Sequence, residues 1–114
     1  MGRTLHPCNI FEAIDFNLWG RVEYFLEEDP QTLNYVCSSV GTPLMWASTS
    51  HNLGIVEYLI SRGAEIDKED KNGCTALMLA CKEGHTHIVE SLLSHGAKID
   101  KKDKNSCTPL MYAS

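Results

Sequence analysis

Nothing in this chain of 114 residues approaches the roughly 20 consecutive apolar residues that a membrane-crossing helix needs. Its opening, Met1-Gly2-Arg3-Thr4-Leu5-His6-Pro7, lacks the apolar run of a secretory signal. Membrane insertion is therefore not expected, and the expected compartment is the cytoplasm or the nucleus. Gly2 stands where N-myristoylation requires glycine, but His6 occupies the position at which that signal wants Ser or Thr. An excess of basic charge is missing too, with 10 Lys and Arg against 15 Asp and Glu and a formal net charge of -5. Binding a polyanion requires clustered cations that are not neutralised where they stand. The densest basic run, Lys98, Lys101, Lys102 and Lys104, is interleaved with Asp100 and Asp103. It reads as a solvated face, and nucleic acid is not an expected partner.

The cysteines do not form an even set. Cys8, Cys37, Cys74, Cys81 and Cys107 are five, and Cys74 and Cys107 recur at one position of two similar segments. Stacked elements would hold those two about 8 to 10 Å apart, beyond the reach of a disulfide, so free thiols in a reducing compartment are expected. Metal-ligand pairs are absent at zinc-site spacing. Cys81, His85 and His87 lie close together, but no second ligand pair accompanies them, and a metal site is not expected there. A nucleophile such as Cys74 or Cys81 would require a histidine held by an acid, and no such constellation appears. No catalytic residue, cofactor or metal is expected.

What the chain does have is internal repetition. Thr42-Pro43-Leu44-Met45-Trp46-Ala47-Ser48, Thr75-Ala76-Leu77-Met78-Leu79-Ala80-Cys81 and Thr108-Pro109-Leu110-Met111-Tyr112-Ala113-Ser114 follow one another at equal spacing. Between them, Ile55-Val56-Glu57-Tyr58-Leu59-Ile60 and Gly63-Ala64 reappear as Ile88-Val89-Glu90-Ser91-Leu92-Leu93 and Gly96-Ala97. A fixed period in the range of 20 to 50, as here, marks an array in which each unit buries its apolar face only against its neighbours.

Within the unit from Asp70 to Lys102, Asp70-Lys71-Asn72-Gly73 signals a tight turn, and Thr75 suits a helix N-cap. Leu77, Leu79 and Ala80 form the packed side of a short helix that Gly84 ends. A second helix is expected from about Thr86 to Ser94, with Ile88, Val89, Leu92 and Leu93 as its apolar stripe and Gly96 as its stop. Beyond it, Ile99 is expected to point back inside.

Thr-(Pro or Ala)-Leu, then Ala, Gly-His, Ile-Val-Glu, Leu-Leu and Gly-Ala at this spacing resemble the ankyrin repeat, from about Val36 to Ser114. Pro43 and Pro109 match the family's proline in the first helical turn, which has no use for an amide there. The resemblance implies an all-α repeat solenoid of stacked helix-turn-helix units with short hairpin-like turns. The units are placed at 1–35 (a degenerate N-terminal capping repeat), 36–68, 69–101 and 102–114 (an incomplete repeat). In the capping unit Asp29-Pro30 replaces the usual Gly-Ala stop, and Gly20 matches Gly54 at a spacing of 34.

Departures from the family pattern carry expectations of their own. Met45, Met78 and Met111 stand where the family has a histidine that bonds back to the turn, so packing is expected to replace that bond and loosen each turn. Val40 and Ser106 replace the glycine represented by Gly73. Trp46 aligns with Leu79 and Tyr112 and is expected between repeats. Asp67 and Asp100 stand where related loops carry a hydroxylated Asn, and are expected to bond the loop backbone. The third unit stops at Ser114, which suggests a fragment or a short isoform of a longer array, with an apolar face partly uncovered.

Resemblance to ankyrin repeats implies a non-catalytic protein-protein interaction module, an adaptor or scaffold, that binds through the concave surface of the array. Carried over by position, the contact residues are Ser38, Ser39, Gly41, Thr49 and Ser50, then Lys71, Asn72, Cys74, Lys82 and Glu83, then Lys104, Asn105 and Cys107. The partner is another protein, and the chain itself is expected to be a monomer. An alternative is that the array is the N-terminal docking or regulatory part of a larger enzyme or channel. A third reading, a redox or metal sensor built on Cys74, Cys81 and Cys107, is open to a thiol titration.

Overall fold

A computed structural model of the chain describes residues 9–28, 30–36, 41–50 and 52–113. Expectations resting on Cys8, Asp29, Cys37, Ser38, Ser39, Val40 and Ser114 lie outside the described residues. The helices are α1 (Asn9–Asp15), α2 (Trp19–Glu28), α3 (Pro43–Thr49), α4 (Leu53–Ser61), α5 (Ala76–Glu83), α6 (Thr86–Ser94) and α7 (Pro109–Ala113), with a 3-10 turn at Pro30–Asn34. No strand occurs among the described residues.

Short polar side chains start α3, α4 and α5. The Thr42 hydroxyl accepts from the Met45 amide at 3.2 Å, the Asn52 carboxamide oxygen accepts from Ile55 at 3.3 Å, and the Thr75 hydroxyl accepts from Met78 at 3.4 Å. Each satisfies an amide that the first helical turn leaves without a partner. Met45 adds a bond that its side-chain type did not suggest: its Sδ accepts from the Thr42 amide at 3.4 Å. The expectation that packing alone replaces the family's histidine is thus corrected for this turn, because the long thioether reaches back as a weak acceptor.

Left-handed glycines end α4, α5 and α6. At the close of α4 the Gly63 amide donates to Ile60 and that of Ala64 to Leu59, both at 3.0 Å, and Gly96 and Ala97 repeat the pattern on Leu93 and Leu92 at the close of α6. Gly63 has φ +101° and Gly96 φ +94°, conformations that favour glycine. The paired bonds drop Ala64 and Ala97 into buried positions against the core. In the first unit the 3-10 turn takes over this task, and Leu33 packs on the core from it.

The helices stack in two layers. α1, α3, α5 and α7 form one row, and α4 and α6 pack against each other in the second, so the molecule extends over 49 × 25 × 21 Å. The core runs between the rows through Ile10, Ile14, Val22, Leu26, Leu44, Met45, Ile55, Leu59, Leu77, Met78, Ile88 and Leu92, each 2% exposed or less. Removing such side chains from water, at roughly 25 cal/mol per Å² of apolar area, is what holds one unit to the next.

Three expectations change. Met78 is fully buried while Leu79 is only half-buried, because α5 is covered from both sides and turns a wider face inward than a single stripe. Ile99 is 63% exposed rather than pointing inside, and Leu93 is 40% exposed. Ile66, one repeat earlier than Ile99, does pack on the core. The difference lies in the unit beyond each: α5 and α6 stand beyond Ile66, whereas no second-layer helix stands beyond Ile99 among the described residues.

Candidate recognition surface

Two turn tips are built to one plan. Asp70 accepts through Oδ1 from the amides of Asn72 at 2.8 Å and Cys74 at 2.9 Å, while its own amide donates to the Cys74 carbonyl at 2.9 Å. Asp103 does the same for Asn105 and Cys107, both at 2.9 Å, and its amide donates to the Cys107 carbonyl at 3.0 Å. An aspartate at the head of a turn thus supplies the acceptor that the tight backbone lacks. The two tips are tied together by the Lys104 amide, which donates to the Asn72 carbonyl at 2.9 Å.

Close packing follows from the glycine between them. Gly73 has φ +78°, and a Cβ there would lie 3.1 Å from both the Asp103 Cα and the Lys104 nitrogen. The equivalent Ser106 adopts φ +64° although it carries a side chain, a conformation that favours glycine.

Asp103 is only 8% exposed and uses its second oxygen as well. The Tyr112 hydroxyl from α7 donates to Oδ2, and the Cys74 thiol of the preceding tip lies 3.9 Å from the same atom. The Tyr112 bond, with the two turn amides, holds the Asp103 carboxyl below its ordinary value. The same bond pushes the Tyr112 phenol well up. Burial raises the Cys74 thiol, with the Asp70 and Asp103 carboxylates adding to it, and burial alone raises Cys81. Cys74, Cys81 and Cys107 are free thiols. Raised thiols are poor nucleophiles at neutral pH.

The residues expected to make contact divide into two groups. Lys71, Asn72, Lys104 and Asn105 are exposed on the joined tips, Lys82 and Glu83 are exposed at the end of α5, and Cys74 and Cys107 are half-buried at the base of the tips. Gly41 is buried, and a Cβ on it would meet Met45 Sδ at 2.4 Å, so it serves the turn and presents no surface. Thr49 and Ser50 are half-buried and engaged: the His85 ring bonds the Thr49 carbonyl at 3.0 Å, and the Ser50 hydroxyl donates to Asp15 at 3.3 Å. These two brace neighbouring units.

Sequence reasoning missed Phe16, which follows α1 as Ser50 follows α3 and is 68% exposed. The spacing of 34 already seen between Gly20 and Gly54 was the available signal. It also missed Asp15, which receives the Trp46 indole Nε1 at 3.1 Å and so fixes that half-buried ring beside Phe11. Trp19 lies edge-on to Tyr58 with centroids 5.6 Å apart and sits beside Gly54, where a Cβ would be 3.0 Å from the indole. Among the described residues no group of three or more His, Cys, Asp or Glu could hold a metal ion. His87 faces Glu90 at 3.8 Å on the exposed side of α6.

Set beside known proteins, residues 44–114 match the profile described as ankyrin repeats in three copies, which is more than half of the chain. The chain belongs to the ankyrin repeat family. Curated relatives include the mouse (Mus musculus) protein named ankyrin repeat and SAM domain-containing protein 6, 37% identical over 73 residues, and its rat (Rattus norvegicus) counterpart at 36%. Alpha-latrotoxin-Lh1a of Latrodectus hasselti is 40% identical over 55 residues. The aligned stretch is 63% of this chain but 8% of each rodent protein, and 48% of this chain but 4% of the toxin. Ankyrin repeats generally mediate protein-protein interaction and are typically non-catalytic. No helix among the described residues is long and apolar enough to cross a membrane.

Proposed function

We propose that this ankyrin array binds a partner protein through the joined turn tips and the adjoining end of α5, with Lys71, Asn72, Lys104, Asn105, Lys82 and Glu83 as its contact side chains. Ser38, Ser39, Cys74 and Cys107 belong to the same stripe by repeat position. The observation that carries this reading is the pair of tips. Their backbones are fixed by an aspartate each and by a tip-to-tip bond, while their outward side chains take no part in that bracing. Rigid backbone with free side chains lowers the ordering cost of binding, and the mixed charges fit a partner that carries paired acids and bases. Phe16 extends the row with an aromatic side chain of the kind that dominates interface energetics.

The array acts as a monomeric adaptor with units at 1–35, 36–68, 69–101 and 102–114, in the cytoplasm or nucleus. A second reading, in which it is the docking part of a larger protein, is favoured by the relatives, in which the matching stretch is 8% or less of the chain.

Photo-crosslinking tests the contact assignment. A photoreactive residue at position 72 or 105 should trap a partner that the same residue at exposed Glu23 of α2 or Glu90 of α6 does not. Equal yields from the tips and the second layer would overturn the assignment.

A further inference from the structure

The loop between α1 and α2 carries apolar residues where the loop between α3 and α4 carries polar ones. At the spacing that relates Gly20 to Gly54, Phe16 corresponds to Ser50 and Leu18 to Asn52, the residue that caps α4. Leu18 stands immediately before Trp19, the first residue of α2, and a leucine side chain offers no acceptor to the free amides there. Phe16 is 68% exposed, Leu18 44% and Trp19 38%, and none of the three belongs to the core. A forfeited cap and three large apolar side chains held in water are costs that the fold leaves uncompensated, which marks a contact surface. The openness belongs to this edge of the stack: Glu83 takes the place of Phe16 in the unit whose α5 is packed between α3 and α7, and it is exposed as well.

The loop is also held still. The Leu18 amide donates to the Ala13 carbonyl at 2.8 Å and that of Asn17 to Ile14 at 3.0 Å. Asn17 sits at φ +56°, and the Asn52 carboxamide of the next unit donates to its Oδ1 at 3.2 Å and to the Ile14 carbonyl at 3.4 Å. Trp19 rests edge-on against Tyr58. Side chains presented by a braced backbone lose little freedom on binding.

Charge decides what kind of partner fits. From Asn9 to Glu28 the chain carries Glu12, Asp15, Glu23, Glu27 and Glu28 against Arg21 alone, a net of -4 out of -5 for the whole molecule. Asp15, beside Phe16, and Glu23, one turn along α2 from Trp19, are exposed, and no ion pair among the described residues neutralises either. Such a field draws cations toward the loop. We infer that Phe16, Leu18 and Trp19, with Asp15 and Glu23, form a docking site for a segment of a partner protein in which aliphatic side chains are flanked by Lys and Arg. This site goes beyond the tip surface, with which it shares only Phe16.

The probe is a pair of end-capped peptides of about twelve residues with leucines at i and i+4, the remaining positions Lys and Arg in one and Glu in the other. Each is titrated into the isotope-labelled full chain and followed by amide resonances. The basic peptide should bind saturably and shift the amides of residues 16–19 and 23 most, and the acidic peptide should bind at least about tenfold more weakly. Phe16→Ser combined with Leu18→Asn, the residues that the next unit carries, should lower affinity for the basic peptide at least about tenfold. Circular dichroism of that variant should stay native and its melting temperature should not fall, since Asn restores a cap. If it does not fold, Phe16→Ser alone at its 68% exposed site replaces it. Glu23→Gln should cost about two- to fivefold, an effect lost at high salt, and Glu90→Gln on the exposed side of α6 should cost nothing.

Shifts centred outside the loop, equal binding of the two peptides, or a folded double variant that binds as the native chain does overturns the inference. So does a concentration-dependent dimer, or binding to phosphatidylcholine vesicles, that the double variant abolishes, since either gives the loop a different occupant.

Discussion

At the scale of the residue, Gly73 and Ser106 show how one turn geometry meets two different side chains. Gly73→Ala adds a Cβ at φ +78° and 3.1 Å from the neighbouring backbone. It should destabilise the fold by about 2 kcal/mol or more. Ser106→Gly relieves the same backbone at φ +64° and should add about 0.5–1 kcal/mol. Urea unfolding checks both. Asp103 carries a pH signature. Its carboxyl is held below the ordinary value, so its contribution is present above the usual carboxylate range and lost as pH falls through it. The gap in melting temperature between the native chain and Asp103→Asn should therefore be widest near neutrality and narrow as pH falls below the ordinary carboxylate range. A spectrophotometric titration should find one of the four tyrosines ionising above the rest, and Asp103→Asn should bring it back down. The raised thiols of Cys74 and Cys81 run the other way. Their contribution is full below the ordinary thiol value of 9.0 and fades as pH rises through it. Both should react with iodoacetamide more slowly at pH 8 than an unfolded control.

At the scale of the element, the caps decide where helices begin and end, and these were the most legible part of the chain. Thr75, Gly84 and Gly96 each stand where the sequence placed them, because a cap depends on side-chain chemistry within four residues of itself. Thr75→Ala should lower stability by about 1 kcal/mol, measured by denaturant unfolding. What neighbouring units do to an element was less legible. Met78 is buried and Leu79 half-buried because α5 is flanked by α3 and α7, and Ile99 is exposed because nothing among the described residues stands beyond it. Thr49 and Ser50 read as surface residues by repeat position, yet His85 and Asp15 reach them from the units on either side. Periodicity identifies which residues are equivalent; it does not say which equivalent is met by a partner from the adjoining unit.

At the scale of the whole molecule, the stack is close to one-dimensional, so stability should fall from its middle toward its ends. Hydrogen exchange should find the amides of α5 among the best protected and those of α7 among the least, because α5 is packed between α3 and α7 and backed by α6. The fold of the array was fully legible, since equally spaced segments with matching turns and stops permit few other architectures. Recognition was legible only in outline, as it resides in positions the stack leaves free, such as Lys71, Asn72, Lys104 and Asn105. The measurement that bears most directly on the recognition surface compares affinity with stability in one variant carrying Ala at those four positions. Once a crosslinked partner is in hand, that variant should lose affinity at least about tenfold with a melting temperature within about 2 °C of the native chain. Unchanged affinity in a folded variant would contradict the account.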